Sequence, residues 1–206
     1  MTITLEELHL KTSKLDSIWI SEVVLQTSQF AEMRAWYGAV LGQPWNFENT
    51  PSEPFHALPL GEKQVKAVQV RACFMRLAPD FPYGGTLAIF EIPGITKTPT
   101  RDPGLNHMQF KNRGLDVLMK RIELLKAAGI HPQRSSNHGP VLSFYFKDPD
   151  KNIVEFCINN FSTAAEMMSF VQSEKFRKNP SGIELDRDEF LSRYYKGEPH
   201  AELLSI

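Results

Sequence analysis

The sequence predicts an α+β fold in which two β-α-β-β-β modules form a cleft-bearing half-barrel sheet, followed by a C-terminal helical tail. Three observations lead to this prediction. Segment 137–158 has two apolar runs on either side of the turn-forming stretch 148–152, a pattern typical of a β-hairpin. A strand followed by an amphipathic helix that stops at a glycine occurs twice, ending at Gly42 and at Gly129. The elements after each pair repeat in the same order, and an internal repeat of this kind decides the fold.

Length and composition exclude several classes of protein. A chain of 206 residues with 42% hydrophobic residues can bury one sizeable core, and a net charge of -1 without a basic stripe argues against nucleic acid as a partner. No apolar run is long enough to cross a bilayer, and the N-terminal residues lack the pattern of a signal peptide. The two cysteines, Cys73 and Cys157, fit reduced core residues better than a disulfide scaffold. We therefore expect a soluble, cytoplasmic protein without a membrane or nucleic-acid partner.

The chain divides into three predicted parts. They are an N-terminal segment with one short helix (1–17), the paired modules (18–160, with module one at 18–95 and module two at 103–160) and a helical extension (161–206). In the extension, a capping box that begins at Thr163 predicts one helix, and the acidic stretch from Asp186 predicts another. Both helices are amphipathic, so we expect them to cover the sheet or a dimer partner.

The first module opens with a strand at 18–25, where β-branched residues are concentrated. Ser28 is expected to cap the following helix and Gly42 to end it. Residues 43–66 are rich in proline, glycine and charge, which predicts an irregular connection with room for a short strand. Two further strands complete the module, at 68–77 and 86–92.

The second module repeats this order. Its first strand, at 105–110, has His107 and Gln109 on one face because successive side chains point to opposite sides. Apolar residues at helical spacing from Leu115 onwards predict a helix. The module ends with the hairpin, whose strands are predicted at 141–146 and 153–158.

Four polar side chains interrupt these apolar strands. Glu22 and His107 lie in the first strand of each module, while Glu91 and Glu155 lie in the last. A carboxylate in a buried strand needs a cation, such as an arginine or a lysine. At an open strand edge, water can solvate the carboxylate instead. If the modules pack about a pseudo-twofold axis, the four side chains face one cleft, where three carboxylates repel each other unless a divalent cation neutralises them. The sequence therefore predicts one divalent metal ion held by these four side chains.

Two runs in the second module, G-L-N-H-M-Q-F and H-G-P-V-L-S-F-Y-F-K-D-P-D-K-N-I-V-E-F, resemble motifs of the vicinal oxygen chelate superfamily of glyoxalases, bleomycin-resistance proteins and extradiol dioxygenases. The first module is similar to that family through V-V-L-Q-T-S-Q-F-A-E-M-R-A-W-Y-G-A-V-L-G. The tail resembles a C-terminal extension found on a dioxygenase-like branch. The resemblance covers residues 18–160 and implies paired modules around a metal cleft.

The resemblance implies roles for individual residues. His107 and Glu155 match two metal ligands of the family, and Glu22 stands where a third ligand usually lies. His138 and Tyr145 match positions that touch the substrate in extradiol enzymes.

The sequence also departs from the family pattern. Extradiol enzymes generally have a histidine at the position of Glu22, which completes the facial triad around Fe(II), so Glu22 makes the donor set more anionic. Glu91 stands where members similar to glyoxalase I have a ligand. Lys151 replaces the turn glycine of the family run, at a local cost in backbone strain.

The resemblance implies three alternative functions. The first is an extradiol-dioxygenase-type enzyme that acts on a small catechol- or enediol-like molecule, with Fe(II) favoured as its one divalent ion and a homodimer expected. The second is a non-redox isomerase, epimerase or lyase, similar to glyoxalase, that uses Zn, Ni, Mn or Mg as a Lewis acid. The third is a non-catalytic binding protein with the same cleft.

Overall fold

The structure is a computed structural model that describes residues 4–13, 20–51, 69–78, 85–95 and 105–205. The helices in these ranges are α1 (Leu5–Thr12), α2 (Phe30–Leu41), α3 (Leu115–Ala127), α4 (Ala164–Val171), α5 (Glu174–Lys178), α6 (Arg187–Tyr195) and α7 (His200–Leu203). The strands are β1 (Glu22–Thr27), β2 (Phe47–Asn49), β3 (Ala72–Arg76), β4 (Thr86–Glu91), β5 (Met108–Lys111), β6 (Arg134–Asn137), β7 (Val141–Lys147), β8 (Ile153–Asn159) and β9 (Ile183–Glu184). None of the described helices combines the length and the apolar character needed to cross a membrane.

The chain forms two compact units, one made of Met1–Phe30 and Gly42–Ile95, the other of Ala31–Leu41 and Thr96–Ile206. The first contains a four-stranded sheet in the order β1-β4-β3-β2, and the second a five-stranded sheet in the order β5-β8-β7-β6-β9. In each sheet the first and last strands of a module pair in parallel, while the others pair antiparallel. The predicted α+β class and the repeated β-α-β-β-β order are confirmed.

The first sheet has a small apolar core. Val70, Ala72, Ala88, Phe90 and Ile92 form it, and Phe74 packs against it. Strand β2 is the short strand for which the sequence left room, although residues 52–66 of that connection lie outside the described residues. Strand β1 begins at Glu22, later than predicted, and residues 18 and 19 also lie outside the described ranges.

The second sheet buries one face against helices. Phe144, Phe146 and Phe156 share that face because alternate residues of β7 and β8 point to the same side, and all three are almost inaccessible to solvent. The buried stripe of α3 contributes Leu118, Met119 and Ile122, and Phe190 of α6 meets Phe144 with ring centroids 6.0 Å apart. Helix α6 therefore covers the sheet, as expected for the tail.

Capping residues determine where two helices of the C-terminal extension begin. Thr163 and Glu166 form the predicted capping box of α4, and the Asp186 side chain accepts a hydrogen bond from the backbone N–H of Glu189 at the start of α6. Strand β9 was not predicted, because two residues are too few to show a periodic pattern.

A buried carboxylate organises the turn between β7 and β8. Asp148 is 2% exposed, and burial raises its pKa above the ordinary range. Its Oδ2 accepts a hydrogen bond of 2.9 Å from the Tyr37 hydroxyl of α2 and one of 2.8 Å from Asn152 Nδ2, and its Oδ1 accepts one of 2.8 Å from the Asn152 backbone N–H. The hairpin turn is thus tied to a helix more than a hundred residues away in sequence.

Tyr37→Phe removes one of these donors, so the Asp148 carboxylate loses a partner in a buried place. We expect the free energy of unfolding to fall by about 1–3 kcal/mol. The loss will be larger near neutral pH than in mild acid, because a carboxyl whose pKa is raised by folding is destabilising only once it ionises. Denaturant titration measures this loss, with Tyr195→Phe, an exposed tyrosine, as the control. Equal effects of both variants would contradict the assignment.

Lys151 has a φ of 68°, the strained conformation expected where the family run has glycine. Lys151→Gly should therefore raise the free energy of unfolding by about 0.5–1 kcal/mol. Lys151→Ala removes the same side chain but keeps the strain, so thermal unfolding of that variant should show no such gain. If alanine stabilised the protein as much as glycine, the lysine side chain and not the backbone would be the cause.

Candidate metal centre and adjoining hydrogen-bonded pair

The other face of the second sheet is polar. The strand register pairs Gln109 with Glu155 and Glu155 with Tyr145, and Ser143 pairs with Cys157 two residues further along β8. Paired residues in neighbouring strands point to the same side, so polar groups from β5, β8 and β7 share this face. Residue alternation, which buries the phenylalanines on one side, therefore collects the polar groups on the other.

The carboxylate of Glu155 lies at the centre of this face. The residue is 1% exposed, and its Oε1 accepts hydrogen bonds from Ser143 Oγ at 2.5 Å and from Gln109 Nε2 at 2.9 Å. Its Oε2 lies 3.0 Å from Nε2 of His107. The salt bridge to lysine or arginine that the sequence left open is not found within the described ranges. A buried charge without such a partner calls for another cation.

Both ring nitrogens of His107 face oxygen atoms. Nδ1 lies 2.7 Å from Oδ1 of Asn106, and Nε2 lies 3.0 Å from Oε2 of Glu155. A neutral imidazole carries one N–H and can donate to only one of these oxygens. Donation from Nδ1 to Asn106 leaves a lone pair on Nε2 that faces a carboxylate, so a proton or a metal ion has to lie between them.

The separation of the two atoms is compatible with a shared metal ion as well as with a direct hydrogen bond. Two donors at about 2.1 Å from one ion and at right angles to each other are about 3 Å apart. The observed 3.0 Å between His107 Nε2 and Glu155 Oε2 fits this arrangement. No group of three or more His, Cys, Asp or Glu side chains that could hold a metal is found in the part of the chain that the structure describes. The structure thus brings together two of the four predicted ligands.

Glu22 does not lie on a buried face, contrary to the expectation. Its side chain is exposed, and on the same side of β1 Ile20 is 78% exposed and Val24 is 42% exposed. Ile20 and Val24, whose spacing suggested a buried face, lie on the exposed side of β1. The buried side of this strand carries Leu25 and Thr27.

The expectation that Glu22 and Glu91 face one cleft is wrong for this sheet. Glu91 pairs with Thr27, which is five residues from Glu22 and therefore points to the opposite side. Glu91 is half-buried at the end of β4.

The two modules also differ at the position of the last-strand carboxylate. In the second sheet, the residue two after His107 pairs with Glu155. In the first sheet, the residue two after Glu22 pairs with Ala88. Alanine therefore stands at the place equivalent to Glu155, and Glu91 lies three residues beyond it.

His138 and Tyr145 form a hydrogen-bonded pair beside His107. His138 Nε2 lies 2.8 Å from the Tyr145 hydroxyl, and His138 Nδ1 lies 2.7 Å from the backbone carbonyl oxygen of Ser181. The Tyr145 ring also contacts the His107 ring, with centroids 6.2 Å apart. Burial, together with the nearby Glu155 carboxylate, raises the pKa of Tyr145 to about 12, so its hydroxyl stays protonated at neutral pH.

Arg134 of β6 adds a cation to the same face. Its guanidinium carbon lies 4.9 Å from the centre of the Tyr145 ring, and its Nε donates a 2.8 Å hydrogen bond to Glu184 of β9. The C-terminal extension therefore reaches this face twice, through Ser181 and through Glu184.

The sequence placed Gln109 on the face of His107, but it did not single out three other neighbours, Ser143, Asn106 and Ser181. Ser143 could have been found from strand alternation, because it lies two residues from Tyr145. Asn106 precedes His107 directly, but no pattern marks an amide as the partner of an adjacent ring. Ser181 contributes a backbone atom, which leaves no side-chain signal.

Comparison with known proteins was made for sequence and for structure. No family model matches the chain. Biphenyl-2,3-diol 1,2-dioxygenase 2 of Rhodococcus globerulus is 32% identical over 169 residues, which cover 81% of this chain and 76% of that protein. Biphenyl-2,3-diol 1,2-dioxygenase 3 of the same organism is 29% identical over 187 residues, or 89% and 86% of the two chains. A glyoxylase/bleomycin resistance protein/dioxygenase domain from Frankia sp. EAN1pec has a similar fold, with a TM-score of 0.54 and 17% identity over 70% of this chain and 99% of that one.

His107→Ala removes the nitrogen donor of the candidate metal centre. We expect the wild-type chain to hold about one divalent ion after purification without chelators, and the variant to bind it more than about 100-fold more weakly. Elemental analysis and metal titration measure this difference. His131→Ala, at an exposed histidine in the loop after α3, is the matched control. Equal metal content in the two variants would exclude His107 as a ligand.

Proposed function

Because the chain belongs to the vicinal oxygen chelate superfamily and is an enzyme of the dioxygenase or glyoxalase type, we propose that it is an extradiol-type dioxygenase of a small catechol-like molecule. One observation carries the proposal. The His107–Glu155 pair, which fits a metal ion, and the His138–Tyr145 pair, which fits proton transfer, adjoin each other on one polar face. The names of the two Rhodococcus relatives support a vicinal diol as the substrate.

His107 Nε2 and the Glu155 carboxylate would hold one divalent ion, with Fe(II) favoured. When bound, such an ion chelates vicinal oxygens and activates O2, the chemistry of Fe(II) sites with open positions. Glu22 remains the predicted third ligand on the strength of the sequence alone. Glu91 is left out of the proposed set because the register of the first sheet turns it away from the side of Glu22.

The surrounding amides and hydroxyl orient the two ligands. Ser143 and Gln109 both donate to Oε1 of Glu155, so its Oε2 is the atom left to meet a cation. Asn106 accepts from Nδ1 of His107, which keeps the lone pair on Nε2. Partners of this kind fix the tautomer and the direction of metal ligands.

His138 and Tyr145 would handle the proton of the substrate. Since Nδ1 of His138 donates to a carbonyl oxygen, its Nε2 carries the lone pair and accepts from the Tyr145 hydroxyl. A substrate hydroxyl that takes the place of the tyrosine donor could pass its proton to the same nitrogen. His138 would then act as the general base, and the neutral Tyr145 would donate a hydrogen bond to the substrate oxygen.

A second candidate is a non-redox isomerase, epimerase or lyase similar to glyoxalase. The observation that favours it is Glu22, which stands where extradiol enzymes have histidine and makes a donor set of one imidazole and two carboxylates. Such a set suits Zn, Ni, Mn or Mg as a Lewis acid. The expected homodimer and cytoplasmic location also stay predictions.

Oxygen consumption separates the two candidates. We expect the Fe(II)-loaded chain to take up about one O2 per molecule of diol with biphenyl-2,3-diol or a simpler catechol, forming a ring-opened product. His138→Gln should lower kcat by about 10²–10⁴-fold, the usual contribution of a general base. An oxygen electrode and absorbance of the product measure both.

Two controls accompany this assay. His131→Ala should keep full activity, since that histidine is exposed in the loop between α3 and β6. Zinc-loaded chain should consume no oxygen. If no diol supported oxygen uptake while Zn, Ni, Mn or Mg supported conversion of an α-hydroxy carbonyl compound without oxygen, the dioxygenase proposal would be wrong and the second candidate favoured.

A further inference from the structure

A tight turn in the C-terminal extension approaches the His138 backbone. The sequence Asn179-Pro180-Ser181-Gly182 suits a turn, because proline presets φ at the first corner. The backbone N–H of Gly182 donates to the Asn179 carbonyl at 3.2 Å, and Asn179 Nδ2 donates to the Gly182 carbonyl at 2.7 Å. These two bonds close the turn on itself.

Only glycine fits at position 182. Its φ is 72°, and a Cβ at this place would lie 2.0 Å from the Asn137 carbonyl oxygen and 2.5 Å from the His138 Cα. Both neighbours are backbone atoms, which cannot move aside as a side chain can. The absence of a side chain is therefore what lets the turn reach the end of β6.

Strand β9 continues from this turn along β6. Ser136 Oγ donates to the Ile183 carbonyl at 2.9 Å, Ser135 Oγ donates to the Leu185 carbonyl at 3.0 Å, and the backbone N–H of Leu185 donates to the Ser135 carbonyl at 3.0 Å. We call residues 179–185 the clasp. Serine side chains on both sides of β6 hold it in place.

The clasp contacts His138 through a backbone carbonyl group, which can only accept hydrogen bonds. The Ser181 carbonyl oxygen lies 2.7 Å from Nδ1 of His138, so that nitrogen must carry the proton. In a neutral ring the lone pair then lies on Nε2, which faces the Tyr145 hydroxyl at 2.8 Å. Without the carbonyl, a water-exposed imidazole favours the opposite tautomer, in which Nε2 carries the proton and cannot act as a base.

We propose that the clasp is a positioning element of the active site: Gly182 lets the Ser181 carbonyl reach His138 and hold the tautomer that presents a lone pair to Tyr145 and the substrate. The inference rests on the proposed role of His138 as a base. It assigns the C-terminal extension a part in the chemistry, beyond covering the sheet.

A second contact extends the clasp to the other side of Tyr145. Glu184 accepts from Arg134 Nε at 2.8 Å, and the Arg134 guanidinium stacks over the Tyr145 ring. The clasp thereby holds both His138, which is hydrogen-bonded to the Tyr145 hydroxyl, and Arg134, which lies over the Tyr145 ring.

Gly182→Ala tests the clasp, and Gly197→Ala is its matched control. Gly197 also lies in the extension and has a φ of 80°, but a Cβ there meets nothing within 4 Å. Both variants carry the same backbone strain, and only Gly182→Ala pushes the turn away from His138. We expect kcat to fall by about 10-fold or more in Gly182→Ala, with KM changed by less than about 3-fold, and both constants to stay near wild type in Gly197→Ala.

The tautomer of His138 gives a readout independent of activity. Ring ¹⁵N NMR of the full chain, with one equivalent of Zn²⁺ added and at a pH where the ring is neutral, distinguishes a protonated Nδ1 from a protonated Nε2. The wild type and Gly197→Ala should show the proton on Nδ1, and Gly182→Ala should shift it towards Nε2. Asn179→Ala, which loses an exposed hydrogen bond of the turn without a clash, should shift it in part.

The outcomes are distinct. A wild-type ring with its proton on Nε2 would overturn the clasp proposal whatever the variants do, including the case in which Gly182→Ala fails to fold. So would a Gly182→Ala variant that keeps both the wild-type tautomer and kcat. If the tautomer shifts as expected but no diol is turned over by the wild type, the positioning holds and the proposed dioxygenase reaction is what fails.

Discussion

The structure of the second unit depends on how one buried negative charge is accommodated. Glu155 is 1% exposed in the middle of a sheet, and its nearest partners are a serine hydroxyl, an amide and an imidazole, none of which carries a fixed positive charge. An uncompensated carboxylate in such a place would cost more free energy than a domain of this size can spare. The arrangement is stable if a cation completes it, and the 3.0 Å between His107 Nε2 and Glu155 Oε2 fits two donors at right angles around one ion.

The rest of the polar face follows from this charge. Because β7 and β8 pair with Tyr145 opposite Glu155, the tyrosine lies beside the His107–Glu155 pair, and burial and that carboxylate keep its hydroxyl protonated. The tyrosine then needs a partner, which His138 supplies, and His138 needs its proton on the far nitrogen, which the Ser181 carbonyl enforces. Hydrogen bonds from Tyr145 to His138 and from His138 to Ser181 thus link the strand that pairs with the buried acid to the C-terminal extension.

Much of this was predictable from local sequence, and the parts that were not share a physical cause. Strand alternation placed His107 and Gln109 on one face, the pattern of apolar strands singled out Glu155, the family motif added His138 and Tyr145, and the capping box at Thr163 predicted α4. Glu91 was misjudged because the register of two parallel strands is set by pairing between residues far apart in sequence, which alternation within one strand does not encode. The Ser181 contact was missed because it uses a backbone carbonyl brought close by a glycine.

A crystal structure of the chain grown with Fe(II) or Mn(II), and measured at the absorption edge of the metal, tests the central claim most directly. The account predicts one anomalous peak per chain, bonded to Nε2 of His107 and to the Glu155 carboxylate at about 2.0–2.2 Å. A saturated crystal in which these two side chains remain in direct contact, with the metal bound elsewhere or absent, would contradict it. In that case His107 would be a protonated partner of the buried acid.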